Sequence, residues 1–302
     1  MKKTYLLINF VCLSILAIAQ HAPQFSTFMF NKLAYNPAYA GSREVLTIGA
    51  DYRNQWTGIE GAPKTVSIYA HTPFFKQRAG AGLSIVSDKI GMMNFNYINL
   101  SYNYKIPLSN GSSLAIGLMG RLEHGAIDWS KTDAVDGNDR LVQSTKTSKV
   151  QPNFGLGMYY SHENYYVGLS VPQVMKNTLY SNLETVVNNR NFYLMGGAVF
   201  KVTDNVKFKP SALVTYNFHA PFEMEVNANF IFMDTFWVGA SYRLEDSFDA
   251  VVAYQINKQI KAALVADFTL SELRDYTSGS FEFLVEYSFD YDNIRVKNLR
   301  YF

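Results

Sequence analysis

From Val45 onward the chain alternates apolar and polar residues with period two, and that pattern restricts it to β-strands. Ile98, Leu100, Tyr102, Tyr104 and Ile106 fall on one face of such a strand, with Asn99, Ser101, Asn103 and Lys105 on the other. Leu46, Ile48, Ala50 and Tyr52 alternate in the same way with Thr47, Gly49, Asp51 and Arg53. Near the C-terminus Phe281, Phe283, Val285, Tyr287 and Phe289 alternate with Ser280, Glu282, Leu284, Glu286 and Ser288. Fourteen segments carry the pattern, at about 44–56, 64–72, 79–88, 94–106, 112–124, 152–162, 165–172, 191–202, 206–218, 222–233, 235–245, 249–256, 259–269 and 279–290. Most are about ten residues long, the length a tilted strand needs to cross a bilayer.

A soluble all-β domain would have to bury one face of every strand. Fourteen strands with some five apolar positions each present more apolar face than one soluble core takes up. The connections sort by parity. Those at Pro73–Arg78, Pro107–Gly111, His162–Asn164, Thr203–Asn205, Asp234 and Asn257–Lys258 are short, whereas the two longest, roughly 125–150 and 173–190, fall on the opposite side. Membrane barrels segregate short periplasmic turns from long external loops, and a sandwich has no reason to. Composition agrees: 21 Tyr and 22 Phe stand against only 17% charged residues, and mean hydropathy is −0.07. The expected fold is therefore all-β, a transmembrane antiparallel barrel of about 14 strands in the outer membrane.

The N-terminus predicts export. Lys2 and Lys3 precede an apolar run from Tyr5 to Ile18, and Ala17-Ile18-Ala19 is a small-x-small site with cleavage expected before Gln20. The run is too short for a comfortable membrane helix. Cys12, the only cysteine, lies mid-run, where lipoprotein processing would leave an apolar start. Removing Lys2 and Lys3 balances basic against acidic groups, which gives no reason to expect nucleic acid as a partner. The expected organisation is a leader at 1–19, a separate segment at 20–43 and a barrel at 44–302, with both termini periplasmic. Within 20–43, Phe25, Phe28, Met29, Phe30 and Leu33 sit at near-helical spacing before Asn36-Pro37 breaks the chain. A short helix and a turn are expected there, packed under the barrel or entering its lumen as a plug.

Nothing nominates a catalytic or cofactor site. His21, His71, His124, His162 and His219 are scattered without metal-ligand spacing. His124 near Asp128 reads as a solvated pair, and no nucleophile elbow occurs. Gly80-x-Gly82, Gly155-x-Gly157 and Gly196-Gly197 lie in strands, where glycine permits bending or close packing. Asp133, Asp136, Asn138 and Asp139 do not match a calcium loop. Charges on the inward faces are of both signs, among them Asp51, Arg53, Lys105, Arg121, Glu123, Glu223, Glu225, Arg243, Lys261, Asp267, Glu282 and Glu286. A ring of one sign would imply an ion-selective pore, whereas mixed signs imply a filled or structural lumen. Trp56-x-Gly58-x-x-Gly61-Ala-Pro63 falls at the first external turn, as an interfacial aromatic beside a tight turn or a docking surface.

Several blocks carry a family resemblance. Pro23-Gln24-Phe25-Ser26, Met29-Phe30-Asn31, Tyr35-Asn36-Pro37-Ala38-Tyr39-Ala40-Gly41-Ser42 and Arg53-Asn54-Gln55-Trp56 through Lys64-Thr65 resemble the opening of the PorP/SprF family. Asp88-Lys89-Ile90-Gly91, Pro152-Asn153-Phe154-Gly155-Leu156-Gly157, Gly168-Leu169-Ser170-Val171-Pro172 and the closing Arg300-Tyr301-Phe302 are similar to later parts of it. Phe281 departs from the histidine common in that family. The resemblance implies an outer-membrane component of the type IX secretion system, linked to gliding motility and to secretion or surface attachment of adhesin-like cargo. It implies contact with outer-membrane lipids, the secretion machinery and periplasmic lipoproteins. The residues expected to carry partner binding or the structural motif are Phe25, Phe30, Asn31, Asn36, Pro37, Trp56, Gly61 and Pro63. The alternative reading is a passive porin or small-solute channel.

Overall fold

A computed structural model of the chain describes residues 23–109, 111–131, 147–178, 187–188, 190–218 and 220–289. The expected leader at 1–19 and the acidic cluster at Asp133–Asp139 lie outside them. The strands are β1 (Thr47–Asn54), β2 (Lys64–Phe74), β3 (Ala79–Ile90), β4 (Met93–Pro107), β5 (Ser113–Ile127), β6 (Thr147–Ser161) and β7 (Tyr165–Val171). There follow β8 (Phe192–Ala198, resuming after Val199 as Phe200–Lys201), β9 (Val206–Tyr216), β10 (Glu223–Phe232), β11 (Phe236–Arg243), β12 (Ser247–Gln255), β13 (Ile260–Thr269) and β14 (Ser280–Ser288).

Each strand pairs antiparallel with its sequence neighbour. β1 then pairs with β14 from Thr47↔Ser288 to Asn54↔Phe281, and the sheet closes. All fourteen expected segments are strands of this barrel. Closure leaves no sheet edge, the condition for carrying peptide groups through hydrocarbon. Among the described residues no helix is long and apolar enough to cross a membrane.

The alternation sets the faces in the sense opposite to a soluble protein. On β4, Leu100 is 63% exposed while Ser101 and Asn103 are 7% and 2% exposed. The outward face is thus the apolar one, suited to lipid, and the inward face is polar and buried. The connections 75–78, 108–112, 162–164, 202–205, 233–235 and 256–259 share one end with Phe289, and 55–63, 128–146 and 172–191 share the other. Rings gather on the outer surface near the short-turn end, with centroids of Phe74 and Tyr102 5.9 Å apart and of Phe208 and Phe230 5.1 Å apart. Such girdles lie at membrane interfaces.

Residues 25–41 are buried apart from the half-buried Ala34. They form two three-residue 3-10 turns, Lys32–Ala34 and Pro37–Tyr39, instead of one amphipathic helix. The reason is local and tertiary together. Asn31 and Asn36 each cap a fresh turn, and the segment is enclosed on every side, so no single apolar stripe is selected.

Candidate functional site

The inward faces of the strands are built to hold residues 24–43. At the first contact, the amides of Ser26 and Thr27 donate to Glu282 at 2.7 and 3.1 Å. The Thr27 hydroxyl lies 2.6 Å from Asp51 and 2.5 Å from Glu282, and the Ser26 hydroxyl donates to Asp267 at 2.9 Å. Arg53 bridges this cluster, with Nη1 2.8 Å from Glu282 and Nη2 2.6 Å from Asp267. It also donates to Ser26 Oγ at 2.6 Å, as does Arg243 at 2.9 Å, and Arg243 pairs with Glu225 at 3.0 Å. Charged groups withdrawn from water need such partners on every side.

Deeper, Phe30 packs on Trp237 with centroids 5.4 Å apart. Three buried lysines stand over aromatic rings at this level. Lys261 sits 4.8 Å from the Phe30 ring and pairs with Glu286, Lys209 sits 5.0 Å from Trp237, and Lys32 sits 4.8 Å from Tyr166. Lys32 also donates to the Met29 carbonyl at 3.0 Å. Ring faces here supplement the carboxylate in compensating ammonium charge.

The Asn36 side chain closes the next level. Its Oδ1 accepts from the Ala38 amide at 2.9 Å, and its Nδ2 donates at 2.9 Å to the Met158 carbonyl on β6. Asn103 donates to the carbonyls of Ala38 and Ala40, and the Gly41 amide donates to His71 Nδ1 at 3.2 Å. Arg43 ends the segment on Glu286 at 3.3 Å. Glycines on the wall make the room. A Cβ at Gly117 would stand 2.4 Å from the Ala38 nitrogen, and one at Gly157 would stand 2.1 Å from Asn36 Oδ1. Of the strand glycines singled out, Gly80, Gly82 and Gly157 pack closely against this segment, whereas Gly155 meets Pro172 and Gly197 meets Tyr166 and Ser211.

The eight residues singled out from the sequence divide into two groups. Phe25, Phe30, Asn31, Asn36 and Pro37 are all buried in the lumen. Phe25 exchanges backbone hydrogen bonds with the Tyr35 hydroxyl at 3.1 Å, and Asn31 Oδ1 caps the first 3-10 turn at 3.4 Å from the Ala34 amide. Trp56, Gly61 and Pro63 belong to the β1–β2 connection, outside the lumen cluster. Trp56 is half-buried with φ +47° and its amide donates to Ser280 Oγ at 3.1 Å. Gly61 is exposed with φ +75°, and its carbonyl accepts from Gly91 at 2.8 Å. Pro63 is buried and accepts from the Gln55 amide at 3.0 Å. This connection is laced to the β13–β14 connection by Thr57 N–H to Gly279 and Ser278 N–H to Thr57, both 2.8 Å.

Sequence reasoning missed Ser26, Thr27, Arg43 and Lys32, which hold the segment, and the inward Asp249 and Lys209. Period-two phasing of β9 and β12 marks the last two as inward-facing. Ser26 lies in the Pro23-Gln24-Phe25-Ser26 block, and nothing local marks Thr27, Arg43 and Lys32. Of the inward charges expected, Glu223 is exposed and accepts from Gln24 at 3.1 Å, and Lys105 is half-buried. The start of a long connection also folds inward, with Arg121 donating to Gln173 at 3.2 Å and Asn177 to Glu123 at 3.1 Å. Among the described residues no group of His, Cys, Asp and Glu is arranged to hold a metal ion.

Against solved structures the chain is similar to the CymD monoaromatic hydrocarbon channel, with a TM-score of 0.50, 11% identity and coverage of 91% of this chain and 95% of that one. It is also similar to the deltaS2S3 mutant of the TodX monoaromatic hydrocarbon channel, with a TM-score of 0.50, 11% identity and coverage of 87% and 94%. At that identity the likeness is one of fold alone. No curated protein matches the sequence. The family model described as "Type IX secretion system membrane protein PorP/SprF" matches residues 17–287.

Proposed function

The chain belongs to the PorP/SprF family of type IX secretion system membrane proteins, and on that premise we propose that it is a sealed, non-enzymatic scaffold of that system. It is an outer-membrane β-barrel. In this reading it supports secretion or cell-surface attachment of adhesin-like cargo, including cargo of gliding motility, and it works with the secretion machinery and periplasmic lipoproteins. The long connections face outward and the short turns and Phe289 face the periplasm.

One observation carries the reading: the lumen is occupied by residues 25–41 of the chain itself, tied to the wall by hydrogen bonds from Ser26, Thr27, Asn36 and Gly41. A conducting pore needs a continuous watery path, and a lumen filled by the segment, with inward charges such as Arg53, Asp267 and Glu282 engaged by Ser26 and Thr27, provides none. The test is a crosslinked pull-down of tagged protein from native outer membranes, read by mass spectrometry. Recovery of secretion machinery or one large adhesin is expected. Recovery of the barrel alone, together with steady conductance of the purified protein in planar bilayers, would replace the scaffold by a passive channel.

A further inference from the structure

We infer that the amino-terminal segment threads the barrel from the long-loop end to the short-turn end, so that the mature amino terminus lies at the cell surface while the carboxyl end of the barrel faces the periplasm. The assignment of faces rests on the orientation proposed above. The threading itself rests on contacts at both ends of the lumen.

At one end, Gln24 donates to Glu223, the first residue of β10 after the 217–222 connection. Ser26 accepts from Arg243, the last residue of β11, and from Arg53, next to last in β1. Both strands run toward the long-loop end. At the other end, the Gly41 amide donates to His71 near the close of β2. A Cβ on Gly41 would stand 3.0 Å from Pro73 and Gly80, which flank the short 75–78 turn. Arg43 then reaches Glu286, two residues before β14 ends, and the chain enters β1 at Thr47. Pro23 and Thr47 thus lie at opposite mouths of the barrel.

Chain length fixes the consequence. The cleavage expected before Gln20 would leave three residues ahead of Pro23, which reach roughly 11 Å at most. The eight residues of β1 span roughly 26 Å at a strand's rise. Three residues cannot return through the lumen to the short-turn end, and the wall leaves no gap to pass through. A periplasmic partner therefore meets the short turns and the half-buried Ser42, Arg43 and Glu44. A surface partner meets the amino terminus together with the 55–63 and 217–222 connections.

The experiment uses single cysteines, because the only native one is Cys12 in the expected leader. Gln24→Cys, Glu60→Cys at the long-loop end and Lys258→Cys in a short turn are each expressed in full. They are exposed to a membrane-impermeant maleimide before and after permeabilisation, with the unaltered chain reporting any signal from Cys12. The expected result is labelling of Gln24→Cys and Glu60→Cys on intact cells and of Lys258→Cys only after permeabilisation. Gln24→Cys labelling in step with Lys258→Cys would overturn the threading. Glu60→Cys and Lys258→Cys exchanging roles would overturn the proposed orientation instead, and leave the threading judged by which of the two Gln24→Cys follows. Should residue 24 react in neither state, a short epitope between Ala22 and Pro23 decides. Antibody staining of intact cells supports the inference, and staining only after lysis ends it.

Discussion

Asn36 shows how much a single buried side chain holds here. It caps the turn that begins at Pro37 and binds the β6 backbone, so one amide joins the segment to the wall. Asn36→Ala forfeits the cap and leaves the Met158 carbonyl short of a donor, a loss of about 1–2 kcal/mol. Gly157→Ala drives a methyl into the same amide and is expected to cost about 1–3 kcal/mol. The two should be strongly non-additive, because removing Asn36 removes the main obstacle to the new methyl. Urea unfolding of the four proteins in lipid vesicles checks this, and simple additivity would contradict the contact. Arg53 is the second residue of this kind. Arg53→Met leaves Asp267 and Glu282 buried without that cation, and a loss of about 3–5 kcal/mol is expected in the same assay.

At the scale of elements, β5 carries glycines on both faces and only one face meets the segment. Gly117 points inward at the Ala38 backbone, which cannot swing aside as a side-chain tip can. Gly120 points outward with nothing within 4 Å. Gly117→Ala should lower the temperature at which the folded band converts on a heat-modifiability gel, while Gly120→Ala should leave it in place. Equal behaviour of the two would mean that the segment does not press on β5. The seam between β1 and β14 obeys the same logic. Ser26 and Thr27 bind Asp51 and Arg53 on one strand and Glu282 on the other, so the segment fastens together the strands that close the barrel.

At the scale of the molecule, the barrel and its contents are separable in sequence, since residues 24–41 precede every strand. Deleting them while keeping residues 1–23 is expected to open the lumen, giving steady conductance in planar bilayers where the full chain gives little. A deleted chain that inserts and still conducts nothing would show that the wall, not the segment, seals the lumen. The wall itself was legible in the sequence. Period-two alternation placed the strands and their faces, and the parity of connection lengths separated the two ends. These are local quantities: each strand reports its own facing, and closure follows because edges cannot stand in lipid.

The contents were legible only in part. Phe25, Phe30, Asn31, Asn36 and Pro37 stand out as a motif, yet near-helical spacing pointed to a helix where two 3-10 turns stand. Ser26 falls inside one of the family-like blocks but Thr27 carries no pattern, and their carboxylate partners Asp267 and Glu282 lie more than two hundred residues away on β13 and β14. The sequence by itself determined a closed fourteen-stranded wall with lipid outside and polar groups within. Only the tertiary structure decided that residues 25–41 lie inside that wall. A match between one short hydroxyl and one distant carboxylate leaves no periodic trace along the chain.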